Sequence, residues 1–332
     1  MQKKYFKESL LVLALPIILW SGSLRADVPR VVADIVPIHS LVSMVMDGLG
    51  EPQLLISQNA SPHDYSMRPS EAKALQEASL VVYLGHDMTP WLEPILETVA
   101  ASADALDLSE VEGVLKLPYR DGPIFDDHTG HADHEEEGHD EHEDEAHADH
   151  EEEGHDDHHH GENDPHMWLD PDNAVTWLNA IASRLGRIDP TNANRYTANA
   201  KSAIQQIKYT AHKIEDQVAS IQGNRFIVYH DAYQYFEERF GVTAAGSISL
   251  GDASKPSPKR LRQLKNLFED GQINCVLSEP QYSSKLIDSV FAGYKPYIGS
   301  VDPIGIDLKL GPTLYFELLE NVAFNIAQCV NH

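Results

Sequence analysis

The stretch PTNANRYTANAKSAIQQIKYTAHKIEDQVASI, residues 190–221, decides the fold. Within it Ala193, Tyr196, Ala200, Ile204, Ile207, Ala211, Ile214, Val218 and Ile221 recur every three or four residues, the spacing of one apolar helix face. About 30 residues at a rise of about 1.5 Å each make a rod of about 45 Å. That exceeds the radius of a small domain, so the spacing predicts a helix joining two bodies. One long helix laid across a single larger domain is the other arrangement the pattern allows.

On both sides of the rod, short β-branched runs alternate with helical patterns. Upstream, 30–37, 53–56 and 79–84 read as strands, and 38–49, 68–78 and 91–101 as helices. Pro69 suits the first turn of the second helix. Next to the rod, 172–185 is helical. Downstream, 226–229, 274–278 and 296–301 read as strands, and 232–240, 257–269, 283–292 and 313–327 as helices. Such alternation means parallel sheets flanked by helices. The expected architecture is α/β: a lobe over 27–189, a linking helix over 190–222 and a second lobe over 223–332.

Between the first lobe's strands and the rod lies a segment of a different kind. Residues 126–164 hold eleven histidines, nineteen Asp or Glu and no Lys or Arg, and the unit HADHEEEGHD occurs at 131–140 and again at 147–156. So charged a run has almost nothing apolar to bury and is expected to be a solvated, disordered loop. Its imidazoles (His128, His131, His134, His139, His142, His147, His150, His155, His158, His159 and His160) and carboxylates are common ligands of borderline divalent metals. The chain's net charge is −27. The segment contributes −19 of it by the count above, leaving −8 for the body. A mildly acidic body repels phosphate backbones, which excludes nucleic acid as the expected partner.

The N-terminus reads as a secretory signal over 1–26: Lys3, Lys4 and Lys7, an apolar run from Leu10 to Trp20, then small residues up to Ala26. The apolar run falls short of the roughly 20 residues a spanning helix needs, and no membrane span is expected in the mature chain. Two cysteines remain, Cys275 and Cys329. In an exported protein a disulfide is favoured over a thiolate metal pair, for which the sequence offers no nearby partners.

Outside the acidic segment stand His39, His63, His86, His166, His212, His230 and His332. His63, His166 and His230 each fall where a strand or loop hands over to the next element, as do Glu279 and Asp302. Ligands of open α/β sheets gather at that carboxyl edge. Three imidazoles and one oxygen make a tetrahedral Zn²⁺ site. His39, His212 and His332 read as helix-start, surface and terminal residues, and His86 as a possible neighbour of the cleft.

The strings ASPHDYSMRPS (60–70), HMWLDP (166–171) and YHDAYQYF (229–236), with SEPQ (278–281) and DPIG (302–305), closely resemble the zinc-binding periplasmic component of bacterial ABC importers. The resemblance covers nearly the whole mature chain, including the His-rich insertion before the second motif. It implies two α/β lobes joined by a long rigid helix, a metal site in the interlobe cleft, and only small lobe movements. The family's three histidine ligands fall on His63, His166 and His230. Manganese-binding relatives carry a carboxylate at the third position, so His230 points to zinc. Some zinc members place a glutamate before the first histidine; here that residue is Pro62. The fourth ligand is then Asp302 on topology, with water or a histidine of the acidic segment as the alternatives. The family's second-lobe disulfide matches Cys275 and Cys329.

The function this implies is an exported, monomeric protein of the periplasm. It captures Zn²⁺ and delivers it to an ABC-type membrane permease, with the His-rich loop as accessory collector or sensor. A zinc hydrolase with Glu279 as base is a second class, without an HExxH motif or nucleophile elbow to support it. A metal-dependent surface adhesin is a third, and no lipid-anchor cysteine supports that one.

Overall fold

The computed structural model describes residues 28–62, 65–120, 122, 124–125, 163–249, 256–269, 271, 273–282 and 285–332. The expected signal segment, His63 and the eleven histidines of the acidic segment lie outside the described residues.

The first half begins with β1 (Val31–Ala33), buried throughout, as suits a strand covered on both faces. α1 (Val36–Val45) follows, buried at every position and with Pro37 in its first turn. The strand is therefore shorter, and the helix earlier, than the sequence pattern suggests, because proline fits a helix start. α1 also stops early: Asn199 Nδ2 donates to the carbonyls of Val45 and Asp47, both at 2.9 Å, at its C-terminal end. Next come β2 (Gln53–Leu54), α2 (Pro69–Glu77), β3 (Leu80–Tyr83), α3 (Glu93–Val99) and β4 (Asp104–Asp107). The four strands form a parallel sheet in the order β2-β1-β3-β4.

α4 (Pro171–Ile188) leads to the long helix α5 (Ala193–Val218), 26 residues extended by a 3-10 turn at Ala219–Ile221. At about 1.5 Å per residue α5 spans about 39 Å. Its start is set by Asp189, whose carboxylate accepts from the Asn192 side chain at 2.6 Å and from Tyr196 Oη at 3.1 Å. Tyr196, Ala200, Ala203, Ile207, Ala211, Ile214 and Val218 form its buried face, packed on α1, α4 and the last helix, α9 (Leu314–Val330).

The second half repeats the first. β5 (Arg225–His230), α6 (Gln234–Phe240), β6 (Thr243–Ser249), α7 (Pro258–Glu269), β7 (Cys275–Ser278), α8 (Lys285–Val290) and β8 (Tyr297–Ser300) precede α9. Its strands are again parallel, ordered β6-β5-β7-β8. One apolar core runs through both halves, taking Phe226 and Val228 from one face of β5. Ile227, on the other face, joins a smaller cluster with Ile248, Leu264 and Val276, the alternation a strand imposes.

The halves are also tied by polar contacts. Gln58 Nε2 donates to the carbonyls of Gly305 (2.8 Å) and Leu308 (2.7 Å), and Trp168 Nε1 to that of Pro303 (2.7 Å). Arg120, only 12% exposed, grips Asp231 and Glu237 with its guanidinium. Burial alone would weaken that cation, but the carboxylates of Glu237 and Asp231 outweigh it and hold the group above its ordinary range.

In each sheet the chain reverses direction between the two central strands, and open α/β sheets leave a crevice there. The first crevice, between β1 and β3, is closed by Asp34. Its oxygens accept from the amides of Ile35 (2.7 Å) and Leu84 (2.8 Å). Complete burial pushes this carboxyl up to about 7, against the pull of those amides. An unfolded aspartate titrates near about 4. The folded value being higher, Asp34's contribution is full below about pH 4 and is lost as pH rises towards about 7. Asp34→Asn should therefore flatten the fall in stability across that window, measured by denaturant unfolding at several pH values; an unchanged slope would refute it.

Cys275 at the start of β7 and Cys329 in α9 are bonded, with Cα atoms 5.5 Å apart and 54 residues of separation. A loop of that size is worth about 4 kcal/mol in the chain-entropy estimate. The Cys275→Ala/Cys329→Ala protein should lose about 2–4 kcal/mol in urea unfolding, and an unmoved midpoint would show that the bridge does not stabilise the fold.

Candidate metal centre

The second crevice, between β5 and β7, brings together three of the residues marked in the sequence, His166, His230 and Glu279. His230 is the last residue of β5 and Glu279 the first after β7. His230 Nδ1 lies 2.8 Å from Glu279 Oε1, so the bond spans the crevice. A carboxylate only accepts, so Nδ1 donates and Nε2 is turned away from the carboxylate into the crevice. Tyr233 Oη donates to the same oxygen at 3.2 Å. Tyr282, stacked on Tyr229 at 4.4 Å between ring centres, turns its ring edgewise to His230 at 6.0 Å.

His166 arrives from the first half. It caps the 3-10 turn Met167–Leu169 and stands edgewise to Trp168, whose indole is fixed by Pro303. Its Nδ1 lies 2.7 Å from Asp164 Oδ1, which also accepts from the His166 amide at 3.0 Å. Asp164 is held in turn: its amide donates to Leu117 O at 2.8 Å, and its carbonyl accepts from Tyr235 Oη at 3.0 Å. Both imidazoles are buried, His166 at 5% and His230 at 3% exposure, and their Nε2 atoms face each other at 3.3 Å.

These side chains line a cavity of about 290 Å³ with Pro62, Met88, Trp168, Gln281, Tyr282, Pro303 and Ile304. His63 lies outside the described residues, but the chain on either side of it is fixed. Pro62 lines the cavity and its carbonyl accepts from Trp91 Nε1 at 3.0 Å. On the other side Tyr65 Oη donates to Glu71 at 2.7 Å. Glu71 also accepts from the Arg68 amide at 2.6 Å, closing the start of α2.

Asp302 is placed differently. Its Oδ1 accepts from the amides of Ile304 (3.0 Å) and Gly305 (2.9 Å), and Oδ2 from that of Ile306 (2.7 Å). It shapes the turn that brings Pro303 and Ile304 to the cavity wall. His86 pairs with Glu93 at 3.3 Å in a separate depression, and so does not line the central cavity. His39 is buried against Pro52 O, His212 pairs with Glu215 on the surface of α5, and His332 stacks on Tyr297. Among the described residues no group of three or more His, Cys, Asp or Glu is placed to hold a metal; His166 and His230 form the described pair.

Sequence reasoning did not single out Asp164. It is the last acid of the charged run, and only its position two residues before His166 distinguishes it.

The chain matches, over residues 31–329, the family described as zinc-uptake complex component A, periplasmic. The high-affinity zinc uptake system protein ZnuA of Paracoccus denitrificans is 42% identical over 308 residues, 92% of this chain and 93% of that protein. Its counterpart in Brucella suis is 39% identical over 318 residues, covering 93% and 94%. A crystal structure of ZnuA superposes with a TM-score of 0.72 at 21% identity, covering 92% of this chain and all of the other. This chain therefore belongs to the family of periplasmic zinc-uptake A components.

Proposed function

We propose that this protein captures Zn²⁺ in the periplasm and hands it to the membrane permease of an ABC importer. The observation that carries the reading is the 3.3 Å separation of His166 Nε2 and His230 Nε2, with a carboxylate beside each Nδ1. A tetrahedral zinc ion with bonds of about 2.0–2.1 Å places two nitrogens about 3.3–3.4 Å apart. The pair thus fits two corners of a zinc tetrahedron. His63, from the loop pinned by Trp91 and Glu71, is the third donor. Asp302 is the fourth: Oδ2 accepts a single amide and keeps a lone pair, and its neighbours line the cavity.

The activity is binding and release rather than catalysis. Glu279 sits on the Nδ1 side of His230, bonded to it and to Tyr233. A hydrolytic base has to reach the metal-bound water instead. The shared core and the Gln58 and Trp168 contacts between the halves favour small movements during release. The protein is read as a secreted monomer, cleaved after its signal segment and organised as two lobes about residues 190–222; among the described residues no helix is long and apolar enough to cross a membrane. The histidines of residues 126–164 serve as an accessory collector. Imidazole binds metal only when deprotonated, so their capture fades below about pH 6.

Chelator-competition titrations check this reading. The full chain should bind one Zn²⁺ tightly and further ions weakly. His166→Ala and His230→Ala should each weaken the tight site by more than the about 10–100-fold typical of changes around a ligand. Removing residues 126–162 should abolish the weak binding and leave the tight site. Loss of tight binding in the deletion would overturn the assignment.

A further inference from the structure

We infer that Asp164 and Glu279 are positioning residues that assemble the ion site before the ion arrives, and that Glu279 destabilises the empty protein in doing so. The inference rests on the reading above that this cavity takes zinc. Each imidazole has a buried carboxylate at its Nδ1, at 2.7 Å for Asp164 and 2.8 Å for Glu279. This sets the orientation of both rings and aims both Nε2 atoms at one point. At 3.3 Å the two Nε2 atoms are spaced as one zinc ion bonded to both would require. The arrangement therefore suits the loaded state better than the empty one.

The two carboxylates differ in how well they are satisfied. Asp164 Oδ1 accepts from the His166 amide and ring, and the Gln234 amide, turned to donate, reaches Oδ2 at 3.1 Å. Glu279 uses only one oxygen, shared by His230 and Tyr233. Its side chain is 0% exposed, and Oε2 has no hydrogen-bond partner among the described residues. A buried charge with an unsatisfied oxygen is among the costlier features a fold can carry. A glutamate kept only to brace β7 against β5 would do as well as a neutral acceptor. A dication in the cavity changes the balance, since the negative charge behind His230 raises the basicity of its Nε2 and offsets the ion's charge.

The two roles predict opposite signs. Glu279→Gln keeps an acceptor for His230 and Tyr233 but removes the buried charge. In the full chain it should raise the melting temperature of the zinc-free protein while weakening Zn²⁺ binding about 10–100-fold. Glu279→Asp keeps the charge but is one methylene short of His230. It should weaken Zn²⁺ binding without raising the zinc-free melting temperature. Asp164→Asn should weaken binding to a similar degree, and with Co²⁺ as probe each variant should lose intensity in the visible bands of a tetrahedral site. A zinc-free melting temperature that stays or falls in Glu279→Gln, or an affinity within about twofold of wild type in that protein, overturns the inference. Failure of the parent reading looks different: the unaltered chain would not bind Zn²⁺, or His166→Ala would bind it as the unaltered chain does.

Discussion

The hydrogen bond from His230 to Glu279 is the constraint on which the site depends. It crosses the gap between β5 and β7, the one place in the second sheet where neighbouring strands lead away in opposite directions. Backbone pairing brings Ile227 and Val228 of β5 opposite Val276 and Leu277 of β7. The register thus decides that the residues following the paired segment, His230 and Glu279, emerge together. One carboxylate then fixes the ring's tautomer, and the ring direction follows.

The first sheet has the same strand order and the same crevice, yet among the described residues no imidazole pair stands there. There the carboxylate is Asp34, and both its oxygens take backbone amides. The crevice is thus used in two ways, sealed in the first sheet and opened to a ligand in the second. What separates the two uses is the partner across the gap: a main-chain amide in one sheet, a histidine side chain in the other. The common core and the shared long helix then hold the open crevice against His166, which the first half supplies.

The elements with strong periodicity were legible in the sequence. The rod's apolar spacing and the β-branched runs around Val31, Val81 and Val228 led to the right architecture. β4 and β6 escaped because DALD has an aspartate at each end of only two apolar residues and TAAGSIS is mostly Ala, Gly and Ser, with few strong strand formers. Both strands are defined by the neighbour they pair with, which no local pattern records. His166 and His230 drew attention by standing at element boundaries, but it was the strings around them, HMWLDP and YHDAYQYF, that singled them out. Their carboxylate partners were less legible. Glu279 could be marked as a sheet-edge acid without knowing what it faced, and Asp164 was hidden in a run of nineteen acids.

That concealment has a physical side. The charged segment is conspicuous by composition, but composition alone cannot fix an atom; Asp164 can act on His166 because it leaves the segment. Its amide is taken by Leu117, its carbonyl by Tyr235, and Asn163 beside it is bonded to Asp87. Leu117 in turn gives its own amide to Tyr235 Oη at 2.8 Å. One tyrosine of α6 therefore clasps both stems, where the chain departs into the acidic segment and where it returns. A carboxylate held on both sides in this way can set the direction of a ring, whereas the same side chain a few residues earlier would only add to the local charge.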